Sequence, residues 1–136
     1  MSWYFDQSTG KQYDSEFNLH STGYAGGNCG DNPEGVNNPA LQAAHGVGPL
    51  PVGGYTFGTP EDSPKLGPFA IPLIPDSTNN MYGRSGFFCH GDNSHMNQSA
   101  SEGCDVQPRT TREAMWSSTD HHMQVVASMD DVVGFN

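Results

Sequence analysis

The stretch SGFFCHG, residues 85–91, decides how the chain is read. In an extended strand successive side chains alternate between faces, so Phe87 and Cys89 share one side and Phe88 and His90 the other. With aromatic residues on both sides, this is a strand inside a sheet. Upstream, GPFAIPLIP (67–75) is also extended, but Pro72 has no amide hydrogen for a ladder, which predicts an edge or irregular strand. GPLPVGGYTFGTP (48–60) gives a turn and a strand near residues 55–57, and HMQVVAS (122–128) a closing strand. At the start, WYFDQSTGKQY (3–13) reads as a hairpin, and FNLHSTGYAGG (17–27) continues in kind before dissolving into glycines. Two short helices are expected. One follows Asn38 as cap and Pro39 in first position and stops at Gly46. The other is PRTTREAMWSS (108–118), where Thr110 and Glu113 have the spacing of a capping box.

The composition agrees with a mainly β fold. Seventeen glycines and ten prolines against a hydrophobic fraction of 34% favour short strands and many turns. At 136 residues, without repeats or a linker, one domain over 1–136 with a real core is expected. A formal charge of −10 with five Lys and Arg argues against nucleic acid and against an anionic membrane surface as partners. No run approaches the roughly 18 apolar residues of a membrane span, and MSWYFDQSTGK does not have the make-up of a cleaved signal peptide. Export without one is therefore expected if the protein acts outside its cell. The three cysteines, Cys29, Cys89 and Cys104, leave at least one thiol unpaired, and no C-x-x-C pair exists. Cys89 is expected in the core, with a Cys29–Cys89 disulfide an open alternative.

Beyond the strand, the polar residues 91–100 can return the chain to Ser101-Glu102-Gly103-Cys104. A cysteine attacks carbonyls as its thiolate, and a free pKa near 8.5 leaves little thiolate at neutral pH. A histidine held beside it takes the proton and later returns it to the leaving group. His90, ending a strand, and Cys104, brought back by the loop, fit that division of labour. Gly103 admits close approach, and the amides of Gly103 and Cys104 could face a developing oxyanion, with Ser101 and Gly91 as supports. Asp92 is expected to hold the second nitrogen of His90. No metal or other cofactor is expected: His95 with Asp92 and His90 is weak as a metal set, and His121 and His122 would point apart. The residues alone leave other readings open. A cysteine peptidase of another class is one, although its usual spacing and signatures are absent. A non-enzymatic acidic binding module with an incidental thiol is another.

His90-Gly91 followed by Ser101-Glu102-Gly103-Cys104 resembles the L,D-transpeptidase signature, an upstream His-Gly and then Ser/Thr-His-Gly-Cys. The ordered blocks TGYAGG, GVNNPALQ, GPLPVGGYTFG, GRSGFFCHGD and SEGCDVQPR are similar to a branch of that superfamily found in antibacterial effectors of type VI secretion. The resemblance covers about residues 3–126. The chain departs from the larger family at Glu102, where histidine is common, and at Asp105-Val106, where an apolar residue and an arginine are preferred. The resemblance implies an L,D-transpeptidase-like β-sandwich or barrel with one or two short helices. It implies that Cys104 attacks the diaminopimelate carbonyl of a peptidoglycan stem tetrapeptide, with water or an amine resolving the thioester. Arg84, Arg109 and Glu102 are the expected substrate contacts. An immunity protein and a secretion apparatus are the implied partners, and the periplasm of a target bacterium the place of action.

Overall fold

A computed structural model describes residues 1–27, 30–92 and 103–133. The chain is mainly β, with two helices. The opening hairpin forms as its sequence suggests: β1 (Trp3–Asp6) pairs antiparallel with β2 (Lys11–Tyr13), and β2 with β3 (Leu19–Thr22). After Gly23 comes β4 (Tyr24–Ala25). Then follow β5 (Gly53–Phe57), β6 (Glu61–Ser63), the long β7 (Gly67–Pro75), β8 (Phe88–His90), β9 (Asp105–Val106) and β10 (His122–Val126). Helix α1 (Arg109–Ser117) joins β9 to β10, and α2 (Asp130–Val133) follows.

The strands lie in the order β3-β2-β1-β10-β5-β7-β8-β9-β4, with β6 on β7. The two ends of that order, β3 and β4, are separated in sequence by Gly23 alone. One stretch of chain therefore pairs with β2 in its first half and with β9 in its second, and the sheet returns upon itself at this seam. A Cβ on Gly23 would overlap the carbonyl oxygen of Val106, so the close approach of β9 requires glycine there. The expectation of a mainly β fold with one or two short helices is met, as one mixed sheet.

β7 is not an edge strand. It lies between β5 and β8 and is irregular for the reason Pro72 suggests: Ile71 and Pro72 pair with β8, and residues 73–75 turn to β5. The missing N–H falls where the strand changes partners, and the Pro72 carbonyl accepts from Gly58 N at 2.8 Å.

Alternation carries Trp3 and Phe5, Tyr55 and Phe57, Ile71 and Leu73, Phe87 and Cys89, and Met123 and Val125 into one core closed by Leu50 and Met115. Each such large apolar side chain contributes roughly 1.5–3 kcal/mol by leaving water. Cys89 is fully buried and its thiol free, so it forms no disulfide with Cys29.

The helices differ in detail from expectation. Asn38 does cap, accepting from Ala40 N at 3.1 Å, and Pro39 follows, but only a 3-10 turn forms, Pro39–Leu41. A continuing helix would use the Gln42 carbonyl for residue 46, and that carbonyl is taken by the Arg84 guanidinium at 2.5 Å. In α1 the capping box is not made. Pro108 is the cap residue, Thr110 lies inside the helix, and Glu113 pairs with Arg109 at 3.3 Å. Among the described residues no helix is long and apolar enough to cross a membrane.

Candidate active site

β8 and β9 run parallel, Cys89 opposite Asp105 and His90 opposite Val106, and the Gln107 amide extends the ladder to the His90 carbonyl at 3.0 Å. This pairing brings Cys104, one residue before β9, back beside β8. Its sulfur accepts a hydrogen bond from the Phe88 amide at 3.4 Å. A donor aimed at sulfur favours the thiolate. The sulfur is half-buried against the core and faces a cleft of about 300 Å3 with His45, Arg84, Phe87 and Gly103 among its walls.

Gly103 has the conformation that calls for glycine, with φ +149°. The space a side chain would fill is occupied: a Cβ would lie 2.5 Å from Arg84 Nη2 and 2.8 Å from the Phe87 ring. The close neighbour is therefore a guanidinium of the protein's own. The Gly103 carbonyl accepts from Leu50 N at 2.8 Å, so the planar trans peptide directs the Cys104 amide away from Leu50.

His90 is 2% exposed. Its Nδ1 lies 2.8 Å from the Gly91 carbonyl oxygen, which can only accept, so Nδ1 carries the proton and the lone pair is on Nε2. Nε2 is buried without a hydrogen-bond partner among the described residues, so imidazole and sulfur are not directly bonded. Burial lowers the pKa of His90; the Gly91 hydrogen bond raises it less, and the positive charge of Arg112 lowers it further. The ring is thus a neutral base at neutral pH.

Asp92 does not hold the ring. The Gly91 carbonyl already occupies Nδ1, and Asp92 Oδ1 accepts from the Tyr24 hydroxyl at 2.6 Å. Arg84 is buried, its guanidinium donating to the carbonyls of Gln42, Pro49 and Gly48 at 2.5, 2.8 and 2.9 Å and lying over the Phe87 ring. It braces the cleft wall with three of its donors. Arg109 is not in the Cys104 cleft. With Gly91 and Asp92 it lines a second cleft, at the seam. Ser101, Glu102 and His95 lie outside the described residues, as does Cys29.

Four contributors were not read from the sequence. His45 donates from Nε2 to the Tyr82 carbonyl at 2.6 Å on the sulfur's cleft, and Tyr24 anchors Asp92. Arg112 is buried beside Gly91, and Asp105 is fully buried next to Cys104. Arg112 left one trace, its i, i+3 spacing from Arg109 on a helix, which puts two cations on one side. Among the described residues no three His, Cys, Asp or Glu side chains converge as metal ligands would.

A family model described as the Tlde1 domain matches residues 20–129, which take in every element from β4 to β10. No curated protein and no solved structure matches the chain significantly.

Proposed function

Since the chain belongs to the Tlde1 domain family, type VI secretion effectors directed at peptidoglycan, we propose that it is a cysteine-dependent L,D-carboxypeptidase or L,D-transpeptidase of peptidoglycan stem tetrapeptides. The observation that carries this reading is the parallel β8–β9 pairing. Through it a half-buried sulfur, contacted by the Phe88 amide, sits one residue before the strand that pairs with the one ending in a neutral, tautomer-fixed His90.

Cys104 gives its proton to Nε2 of His90, and Sγ bonds to the carbonyl carbon of the diaminopimelate residue. Collapse of the tetrahedral intermediate breaks the bond to the terminal D-Ala, whose amine takes the proton from the imidazolium. Water then cleaves the thioester to a carboxylate and restores the thiol. The amine of a D-amino acid would instead form a new amide. Either product removes a donor for cross-linking, which is the toxic consequence in a target periplasm, and an immunity protein in the producing cell follows from it.

The test incubates the protein with tetrapeptide wall fragments and follows them by mass spectrometry. Loss of D-Ala or its exchange is expected, abolished in Cys104→Ala and reduced about 10²–10⁴-fold in His90→Ala. Folded protein that yields neither tripeptide nor exchanged peptide refutes the reading. A Cys104 thiol that titrates near 8.5 with or without His90 would instead favour the binding-module alternative.

A further inference from the structure

The second cleft, about 480 Å3, opens at the seam of the fold and is walled by Tyr24, Gly91, Asp92, Val106, Arg109 and Arg112. Arg112 is 5% exposed and rigidly held: Nε donates to the Gln107 carbonyl at 3.0 Å, and Nη1 to those of Pro68 and Phe69, each at 2.8 Å. The bonds of Arg112 among the described residues use Nε and Nη1, and Nη2 lies against Gly91 on the cleft wall, 2.9 Å from where a Cβ would sit. A guanidinium fixed by three backbone carbonyls, with its remaining amino group at a cleft wall, presents preorganised charged donors to an anion there. Arg109, exposed and paired with Glu113 at 3.3 Å, adds a second guanidinium at the rim. The Asp92 carboxylate on the same cleft is engaged by Tyr24.

The cleft's place fixes which anion it suits. Gly91 and Val106, both on its wall, are the chain neighbour and the ladder partner of His90. The base that accepts the thiol proton must later deliver it to the leaving amine, so the leaving group departs on the imidazole side. In a stem tetrapeptide that leaving group is D-Ala, whose carboxylate is one carbon from the departing nitrogen. We propose that Arg112, with Arg109, holds the terminal carboxylate of the leaving D-amino acid in the seam cleft; this rests on the reaction proposed above and names its specificity determinant. A neutral chain end would forgo the charge-assisted bond to Arg112 and bind less tightly.

Equilibrium binding to the Cys104→Ala protein, which cannot turn over, tests it with two probes: the stem tetrapeptide and the same peptide carboxamidated at its terminal D-Ala. The acid is expected to bind about ten-fold tighter, the worth of one good charge-assisted contact. Arg109→Gln, at an exposed position, and Arg112→Lys should each narrow that ratio while leaving the amide's affinity in place. Equal binding of acid and amide, or a loss in both variants that is the same for both probes, overturns the proposal. So does failure of the folded protein to bind either peptide. D-Ala release by the unaltered protein, measured alongside, reports separately on the reaction. An intact preference for acid without release supports the subsite and refutes the reaction.

Discussion

Asp105 is sealed from solvent immediately after the sulfur-bearing residue, Oδ1 accepting from Gln107 Nε2 at 2.8 Å and Oδ2 without a partner among the described residues. Across the ladder its neighbour is the Cys89 thiol, itself pushed well above its ordinary value, first by burial and then by Asp105. Burial raises the Asp105 carboxyl from 3.8 to about 7, against the lowering effect of its hydrogen bonds with Gln107 and Cys89. The folded chain therefore keeps a proton to about pH 7 that the unfolded chain loses near 3.8. Raising pH across that window favours the unfolded state, by an amount on the order of a few kcal/mol when complete. His90, its folded pKa lowered, acts oppositely and withdraws stability as pH falls below its ordinary 6.5. A substitution isolates the first effect: Asp105→Asn keeps the shape and removes the titration. Urea unfolding at pH 5 and pH 8 should show the parent losing stability relative to Asp105→Asn as pH rises. Parallel behaviour of the two proteins would mean that Asp105 is ionised in the folded state at pH 5. At this scale Gly103 and Cys89 were legible, because a glycine before a cysteine and an alternating aromatic strand carry local constraints. The Asp92 role was misread because its competitor is a backbone carbonyl, to which a sequence gives no mark.

At the scale of elements, the hairpin and strands β8 and β10 announce themselves through alternation, since burial on a pleated surface dictates period two. What the pattern does not contain is pairing. Pro72 signals an irregularity in β7, yet only the packed fold reveals that the strand changes partner there. The expected helix after Asn38 stops early for a similar reason: a distant guanidinium competes for a carbonyl the helix needs. That guanidinium ties the segment around residues 42–49 to the one around residues 84–87, the two walls of the sulfur's cleft. Arg84→Lys keeps the charge but loses the planar fork that reaches three carbonyls, at an expected cost of about 2 kcal/mol. Thermal unfolding should show the loss, and the cysteine should become more reactive towards a bulky thiol reagent as the wall loosens. An unchanged melting temperature combined with weakened tetrapeptide binding would return Arg84 to the role the sequence suggested, a substrate contact.

For the whole molecule, closure of the sheet makes the site possible. Both clefts adjoin the β8–β9 pair, one on the side of Cys104 and Arg84, the other on the side of Arg109 and Arg112. β9 is only two residues long and is held on one flank by β8 and on the other by β4. Side chains cross the seam as well: Gln107 donates to the Gly10 carbonyl at 3.0 Å, and its Oε1 accepts from Ser21, which in turn accepts from Thr111 on α1. The Gly23 amide completes the junction by donating to the Gly10 carbonyl at 2.7 Å. None of this is visible locally, because Gly23 stands close to Gly26 and Gly27 in a glycine-rich stretch and its constraint comes from residues 106 and 107. Gly23→Ala is the sharpest test of the closure, since its methyl would meet the Val106 carbonyl and the Gln107 side chain. Backbone cannot yield there as a flexible side chain would, so a loss of about 3 kcal/mol is expected. The damage should be uneven. Hydrogen exchange should rise first at residues 24–25 and 105–107, where the seam is made, while the β1–β10–β5 side keeps its protection. The proposed D-Ala release should fall with the seam's protection, because Cys104 directly precedes the strand that loosens. Uniform exchange across the sheet would mean that the seam only fastens a barrel already closed by other contacts, and parental stability would mean that β9 can approach β4 less closely than it does.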